Sequence, residues 1–338
     1  MSNLFKKAIF FTDIHFGLKS NSHIHNADCL NFIDFVIATG KEKQCETCVF
    51  LGDWHHNRAT INVSTLNHSV KAIDKLSAAF NQIIFIPGNH DEYYRDTRDM
   101  NSIVWAKKYD NVRLFNDITS EGNVCIVPWL IKNEHKKIPK IEAKYMFGHF
   151  ELPNFYMNAM VRMPNVGELR HNSFKGVEHL FTGHFHKRQE HENITYIGNA
   201  FPHNYADTGD DDRGCMILEW DGKCEYISWP GAPKYRRYLL SEVLEYTEKL
   251  LDKNMYCRVE IDVNISYEEA NFIKEQFIPE FGLRELSLLP GKSSEEHAHE
   301  FSEQVNFESV DSIVTSHLIQ LDSEQYDKAL MLDIYRNL

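Results

Sequence analysis

The chain has 338 residues, is 43% hydrophobic and carries a formal net charge of −13. That length accommodates one large domain with appendages, and the apolar fraction is ample for a packed core. No apolar run approaches the roughly 18 residues of a membrane-spanning helix. The opening MSNLFKKAIFFTDIH reads as a first strand rather than a signal peptide, so a cytoplasmic protein is expected. The acidity argues against a polyanionic ligand, but it is unevenly placed: from Lys292 onward ten acidic residues face three basic ones. The seven cysteines (Cys29, Cys45, Cys48, Cys125, Cys215, Cys224 and Cys257) are odd in number and loosely spaced, which implies reduced thiols rather than a disulfide framework. Cys45 and Cys48 form a CxxC pair with no second pair to complete a zinc site, and read as ordinary buried or strand-edge residues.

In chain order, apolar strands alternate with helical patterns. AIFF runs into TDIHFG, CVFL into GDWHH, IIFIP into GNHDE, YMF into GHFE and LFT into GHFH. Residues 27–39 and 64–80 carry helical periodicity, so this part reads as βαβ units around a largely buried sheet. From Val112 the strands VRLF and VCIVPW come with less helix between them, which implies a mixed sheet or a second sheet packed on the first. YIGNAFPHNY and DDDRGCMILEW look like the last strands, ending near residue 230. A smaller α+β region follows to about residue 290, with the alternating strand CRVEIDV, the helix YEEANFIKEQF and the apolar segment LRELSLL. GKSSEEHAHE reads as a polar linker, and two amphipathic helices are expected after Ser309 and Asp322.

Each cluster of ionisable residues follows the C-terminal end of an apolar strand, where sites of α/β sheets form. Five motifs result: Asp13-x-His15, Gly52-Asp53-x-x-His56, Gly88-Asn89-His90-Asp91, Gly148-His149 and Gly183-His184-x-His186. Singly they are weak, because eighteen histidines guarantee accidental GH pairs; in this order and placement they are strong. Carboxylate, imidazole and one carboxamide, without thiolate, make a ligand set suited to Mn²⁺, Fe²⁺ or Zn²⁺. A carboxylate that bridges two such cations would set them up for attack on a phosphate ester.

Together the motifs resemble the calcineurin-like metallophosphoesterases over about residues 7–230. The resemblance implies an α/β fold: a two-sheet β-sandwich flanked by helices, here with a small α+β capping domain and C-terminal helices. It further implies two divalent metal ions, Mn²⁺ foremost with Mg²⁺, Fe²⁺ or Zn²⁺ as alternatives. By position Asp13, His15, Asp53 and His186 would hold the first ion. Asp53 as bridge, Asn89, His149 and His184 would hold the second. His90 would assist transition-state charge or leaving-group protonation, and His56 would face the scissile phosphate. His55 matches no role in the family, and Trp54 is expected to pack beneath the loop.

GDWHHNR and GNHD depart from the GDxxDRG and GNHE of the protein serine/threonine phosphatases in this superfamily. With GHFE and GHFH they look like the nuclease subunit of SbcCD-type DNA repair and recombination complexes, particularly the short bacteriophage versions. That likeness implies residues 1–230 as nuclease domain, 231–290 as capping domain, 291–308 as acidic linker and 309–338 as a helical segment docking on the coiled coil of an SbcC-like ATPase; helices packed against their own domain are the alternative for the last. It also implies a homodimer of nuclease subunits within a heterotetramer acting on DNA. An acidic tail suits a basic partner helix better than DNA, whose phosphates need Lys and Arg. Candidate DNA contacts are therefore Arg58, the loop after GNHD (Tyr93, Tyr94, Arg95, Arg98), and Lys187 with Arg188; solvated surface charge is the alternative for each. Two other functions stay open: a phosphatase or phosphodiesterase for a small substrate, and an assembly subunit that works mainly by docking.

Overall fold

The computed structural model describes residues 3–290; the acidic linker and terminal helices expected beyond them lie outside the described residues. Fifteen strands form three sheets among these residues. The first sheet holds β1 (Lys7–Phe11), β2 (Thr47–Phe50), β3 (Gln82–Phe85), β4 (Val112–Leu114), β11 (Gly214–Glu219) and β12 (Cys224–Ser228) in the order β12-β11-β1-β2-β3-β4. β1 to β4 run parallel, and β11 closes antiparallel on β1. The second sheet holds β5 (Thr119–Glu121), β6 (Val124–Val127), β7 (Ala143–His149), β8 (Val177–Gly183), β9 (Gln189–His191) and β10 (Ile194–Tyr196) in the order β5-β6-β7-β8-β10-β9. Its central strands are parallel and its edges antiparallel. The change of pattern thus marks a second sheet packed on the first, but it begins at Thr119: VRLF, at Val112, is β4 of the first sheet.

Alternation along the strands explains the packing. Successive side chains point to opposite faces, so Ala8 and Phe10 of β1 and Val49 of β2 meet Tyr145 and Phe147 of β7 between the sheets. Ile9, Phe11 and Phe50 face the other way, into a layer filled from helices His23–Glu42 and Val63–Ala79. The first of these helices buries Cys29, Phe32, Ile33 and Val36, one helical stripe. Both faces of the strands are covered, and near-continuous apolar runs follow from that. The outer face of the second sheet has its own layer around Phe150, Phe174 and Tyr196.

A third sheet of parallel strands, β13 (Lys234–Leu239), β14 (Met255–Ile261) and β15 (Glu285–Pro290), is crossed by helix Tyr267–Phe281. Its core is separate and includes Leu240, Val243, Val259 and Leu286. Polar and aromatic contacts fasten it to the sandwich. Arg284 donates to Asp28 with both terminal nitrogens, one at 2.8 Å. Lys19 donates to the Tyr235 hydroxyl and lies 4.0 Å over the Tyr256 ring. The six free cysteines Cys29, Cys45, Cys48, Cys125, Cys215 and Cys257 are buried and Cys224 is exposed. No helix among the described residues is long and apolar enough to cross a membrane.

Candidate metal centre

The C-terminal ends of β1, β2 and β3 meet those of β7 and β8, and the five motifs converge there. The backbone is bent to do it: Asp13, His15, Asp53 and His184 all have φ between 50° and 89°, the left-handed region costly for residues with a Cβ. Two glycines allow the close approach. A Cβ on Gly52 would lie 2.3 Å from His149 Nδ1, and one on Gly88 would lie 2.2 Å from Asp53 Oδ1.

Each carboxylate is half-satisfied. Asp13 Oδ2 accepts from Thr12 Oγ1 at 2.7 Å and from the His184 amide at 3.0 Å, while Asp13 Oδ1 is buried with no hydrogen-bond partner among the described residues. Asp53 Oδ1 accepts from the His90 amide at 2.9 Å. Asp53 Oδ2 sits 3.7 Å from His15 Nε2 and 3.4 Å from His149 Nε2, and His15 Nε2 is 3.9 Å from Asp13 Oδ1. Such separations are long for hydrogen bonds and suit donor atoms that share a cation at about 2.0–2.2 Å each. A buried carboxylate oxygen without a donor, Asp13 Oδ1, and imidazole nitrogens that converge on Asp53 fit divalent metal.

Orientation comes from the partners on the far side of each ring. His149 Nδ1 is 2.7 Å from the Leu51 carbonyl, which leaves Nε2 to the centre. His184 presents Nδ1 to Asn89 Oδ1 at 3.0 Å and holds Glu151 3.5 Å from its Nε2, the carboxylate–histidine arrangement that fixes metal-binding rings. Asn89 Oδ1 is also 3.2 Å from His149 Nε2. The donor clusters are Asp53, His149 and His184; Asp13, His15 and Asp53; and His15 grouped with His56 and His90 or with His186 and His203.

Charge follows from this geometry. Burial opposes ionisation of Asp53, but His149, His15 and His90 outweigh it and hold the carboxyl well below the usual range. The same pair raises His149: burial lowers its pKa, yet the attraction of Asp53 pushes it up to about 9. His15 is lowered well below the ordinary imidazole value by burial first, which keeps it a neutral donor.

His56 and His90 stand together at the cleft, their rings stacked at 5.2 Å and 19°. His90 Nδ1 lies 2.6 Å from the His56 carbonyl, so its Nε2 edge is left for a substrate. The cleft, of about 250 Å³, is lined by His15, Asp53, His56, His90, His186 and His203 among others. His55 turns away. It is buried, with Nε2 2.9 Å from Ser69 Oγ and Nδ1 2.9 Å from Ser102 Oγ. Trp54 is fully buried beneath the loop and donates to Ser69 Oγ.

The basic candidates divide. Tyr93, Tyr94 and Arg95 are exposed and Arg58 is half-buried; Lys187 lies 4.8 Å over the Tyr156 ring. Arg98 instead turns inward to Glu134 and the Trp129 carbonyl. Arg188 pairs with Asp212 at 2.8 Å and packs on Tyr226 at 4.4 Å, so both guanidinium groups are committed within the fold.

Three residues of the centre have no role that the sequence assigns. Asp91 accepts from the amides of Gly88, Asp53, Trp54 and His55 at 2.9–3.1 Å and so locks two motif loops together. Glu151 orients His184, and its signal was the last letter of GHFE. His203, in FPHNY, lies outside all five motifs.

The chain is similar to known proteins. The chain is 25% identical to exonuclease subunit 1 of Enterobacteria phage T4 over 286 residues, 79% of this chain and 81% of that protein. The solved structure of Pseudomonas putida nuclease MPE is 15% identical, covering 63% of this chain and 84% of its own, with a TM-score of 0.34. The sequence pattern of the calcineurin-like phosphoesterases matches residues 6–188, more than half of the chain and all five motifs, and the chain belongs to that family.

Proposed function

We propose that the protein is a DNA nuclease, hydrolysing phosphodiester bonds at a centre of two divalent ions. The observation that carries the reading is Asp53 Oδ2, set between His15 Nε2 and His149 Nε2, where one carboxylate would serve both ions. Asp13, His15, Asp53 and His186 would hold one ion, and Asp53, Asn89, His149 and His184 the other. Bound there, two such ions activate water and neutralise charge on the phosphoryl oxygens; Mn²⁺ suits the oxygen and nitrogen donors. His90, with Nδ1 anchored on the His56 carbonyl, would carry a proton toward the departing sugar oxygen. His56, stacked on it, would hold that ring in place and face the phosphate.

DNA as substrate is supported by the T4 relative, which is named an exonuclease subunit, and by the exposed Tyr94 and Arg95 in the loop after GNHD. The word subunit in that name also supports a partner, for which a coiled-coil ATPase, with two nuclease chains per complex, is our reading. Residues 1–230 would be the nuclease unit, 231–290 a cap, 291–308 a linker and 309–338 the docking segment.

The test is a panel of linear DNA, a cyclic nucleotide and a phosphopeptide, each incubated with the chain and Mn²⁺. DNA should be cut and the other two left nearly untouched. Faster turnover of either small substrate would overturn the assignment.

A further inference from the structure

His203 follows β10 and is 1% exposed, yet neither ring nitrogen has a hydrogen-bond partner among the described residues. Its main chain is fully engaged: the amide donates to Asp207 Oδ2 at 2.9 Å, and the carbonyl accepts from the Tyr235 hydroxyl at 2.9 Å. The ring is therefore held in place by contacts that its own nitrogens do not make. Burying an imidazole without partners costs about 1–3 kcal/mol, and a leucine would fill the same space without that cost. The ring centroid lies 5.4 Å from His15 and 5.2 Å from His186. One donor nitrogen from each of the three residues falls within 4.8 Å of the others. All three line the cleft that contains Asp53. Phe201 packs edge-on against the ring at 5.2 Å.

We infer that His203 is a further imidazole ligand of the ion held by His15 and His186, beyond the seven ligands that the motifs supply. The inference rests on the two-ion reading of the centre. A third imidazole makes that position richer in nitrogen than its neighbour, and nitrogen-rich shells favour Mn²⁺, Co²⁺ or Zn²⁺ over Mg²⁺. The two positions would then differ in metal preference, the His203 side rejecting Mg²⁺ more strongly.

The experiment is a Mn²⁺ titration of the metal-free full-length chain, followed by electron paramagnetic resonance and by heat. Wild type, His203→Leu and His203→Asn are compared, together with melting curves with and without Mn²⁺. Wild type should bind two ions. His203→Leu should bind one ion with unchanged affinity and the other at least about tenfold more weakly, the scale on which metal-site groups act. His203→Asn should show the same loss if the leucine variant does not fold. Without metal, His203→Leu should melt no lower than wild type, because an unpartnered imidazole has been removed. Unchanged affinity for both ions in a folded variant overturns the inference, as does a lower metal-free melting temperature with unchanged ion binding, which would mark a packing role. If wild type binds no divalent ion, the two-ion reading itself fails, a result distinct from a His203 variant that loads like wild type.

Discussion

The two sheets bring different chemistry to the centre. On the two-ion reading the first would supply every acidic or amide ligand, Asp13, Asp53 and Asn89, along with His15, His56 and His90. The second would supply imidazoles as ligands, His149 from the end of β7 and His184 and His186 just past β8, with Glu151 behind His184. Neither sheet alone completes a ligand set, and Asp53 of one is paired with His149 of the other. Ion binding is therefore coupled to closure of the sandwich, and any ion that binds only the folded chain stabilises it, by about 2.7 kcal/mol at a hundred times its dissociation constant.

The contrast is broken most completely at its shared atom. Asp53→Asn keeps the side-chain shape but removes the charge from both ions, each worth several kcal/mol to a phosphoryl transition state. Cleavage should fall by about 10⁴-fold, and metal analysis should find neither ion tightly held; two tightly bound ions would remove the bridge. His90→Ala touches only the first sheet's contribution to proton transfer. It should load both ions normally and lose about 10²–10³-fold in cleavage, and full activity would remove His90 from the mechanism.

A third effect is read through pH. In the metal-free chain the His149 pKa is raised to about 9. Its pair with Asp53 therefore contributes stability fully below the free imidazole value of about 6.5, and that contribution is lost as pH rises through 9. Ion binding has to expel the same proton, so apparent affinity should climb about tenfold per pH unit between pH 7 and 9 and then level off. Titration in buffers of different ionisation enthalpy would report the released proton, and a pH-independent affinity would contradict the pairing. The smallest effect belongs to the second sheet's support. Glu151→Gln, which loosens His184, should weaken one ion by about tenfold while the melting temperature of the metal-free chain barely moves.

Legibility in the sequence follows from the kind of work each residue does. Asp13, His15, Asp53 and the rest of the motif residues stand out because few residue types could hold a metal and because each follows an apolar strand. Both faces of those strands are buried, so the strands themselves were plain as continuous apolar runs. Asp91 stands within GNHD, but its role is to accept four backbone amides, and nothing in a sequence reports which amides lack acceptors. His203 was hidden for a related reason. It reaches His15 and His186 only because β10 lies beside β8, and that adjacency is a property of the folded sheet. Arg98 and Arg188 were offered for DNA on charge alone, and their acidic partners Glu134 and Asp212 are 36 and 24 residues away in the chain.

The left-handed backbone at Asp13, Asp53 and His184 also decides how mutational data on this centre should be read. Alanine at Asp13 or Asp53 lacks the short polar side chain that eases Asp into this conformation, so it adds a conformational penalty to the loss of a ligand and confuses instability with inactivity. Asparagine and glycine tolerate that conformation. A relative that has given up catalysis while keeping the fold should therefore carry Asn or Gly at the positions of Asp13 and Asp53 far more often than Ala, Val or Leu. That signature would separate a retired enzyme from a working one before any assay is run.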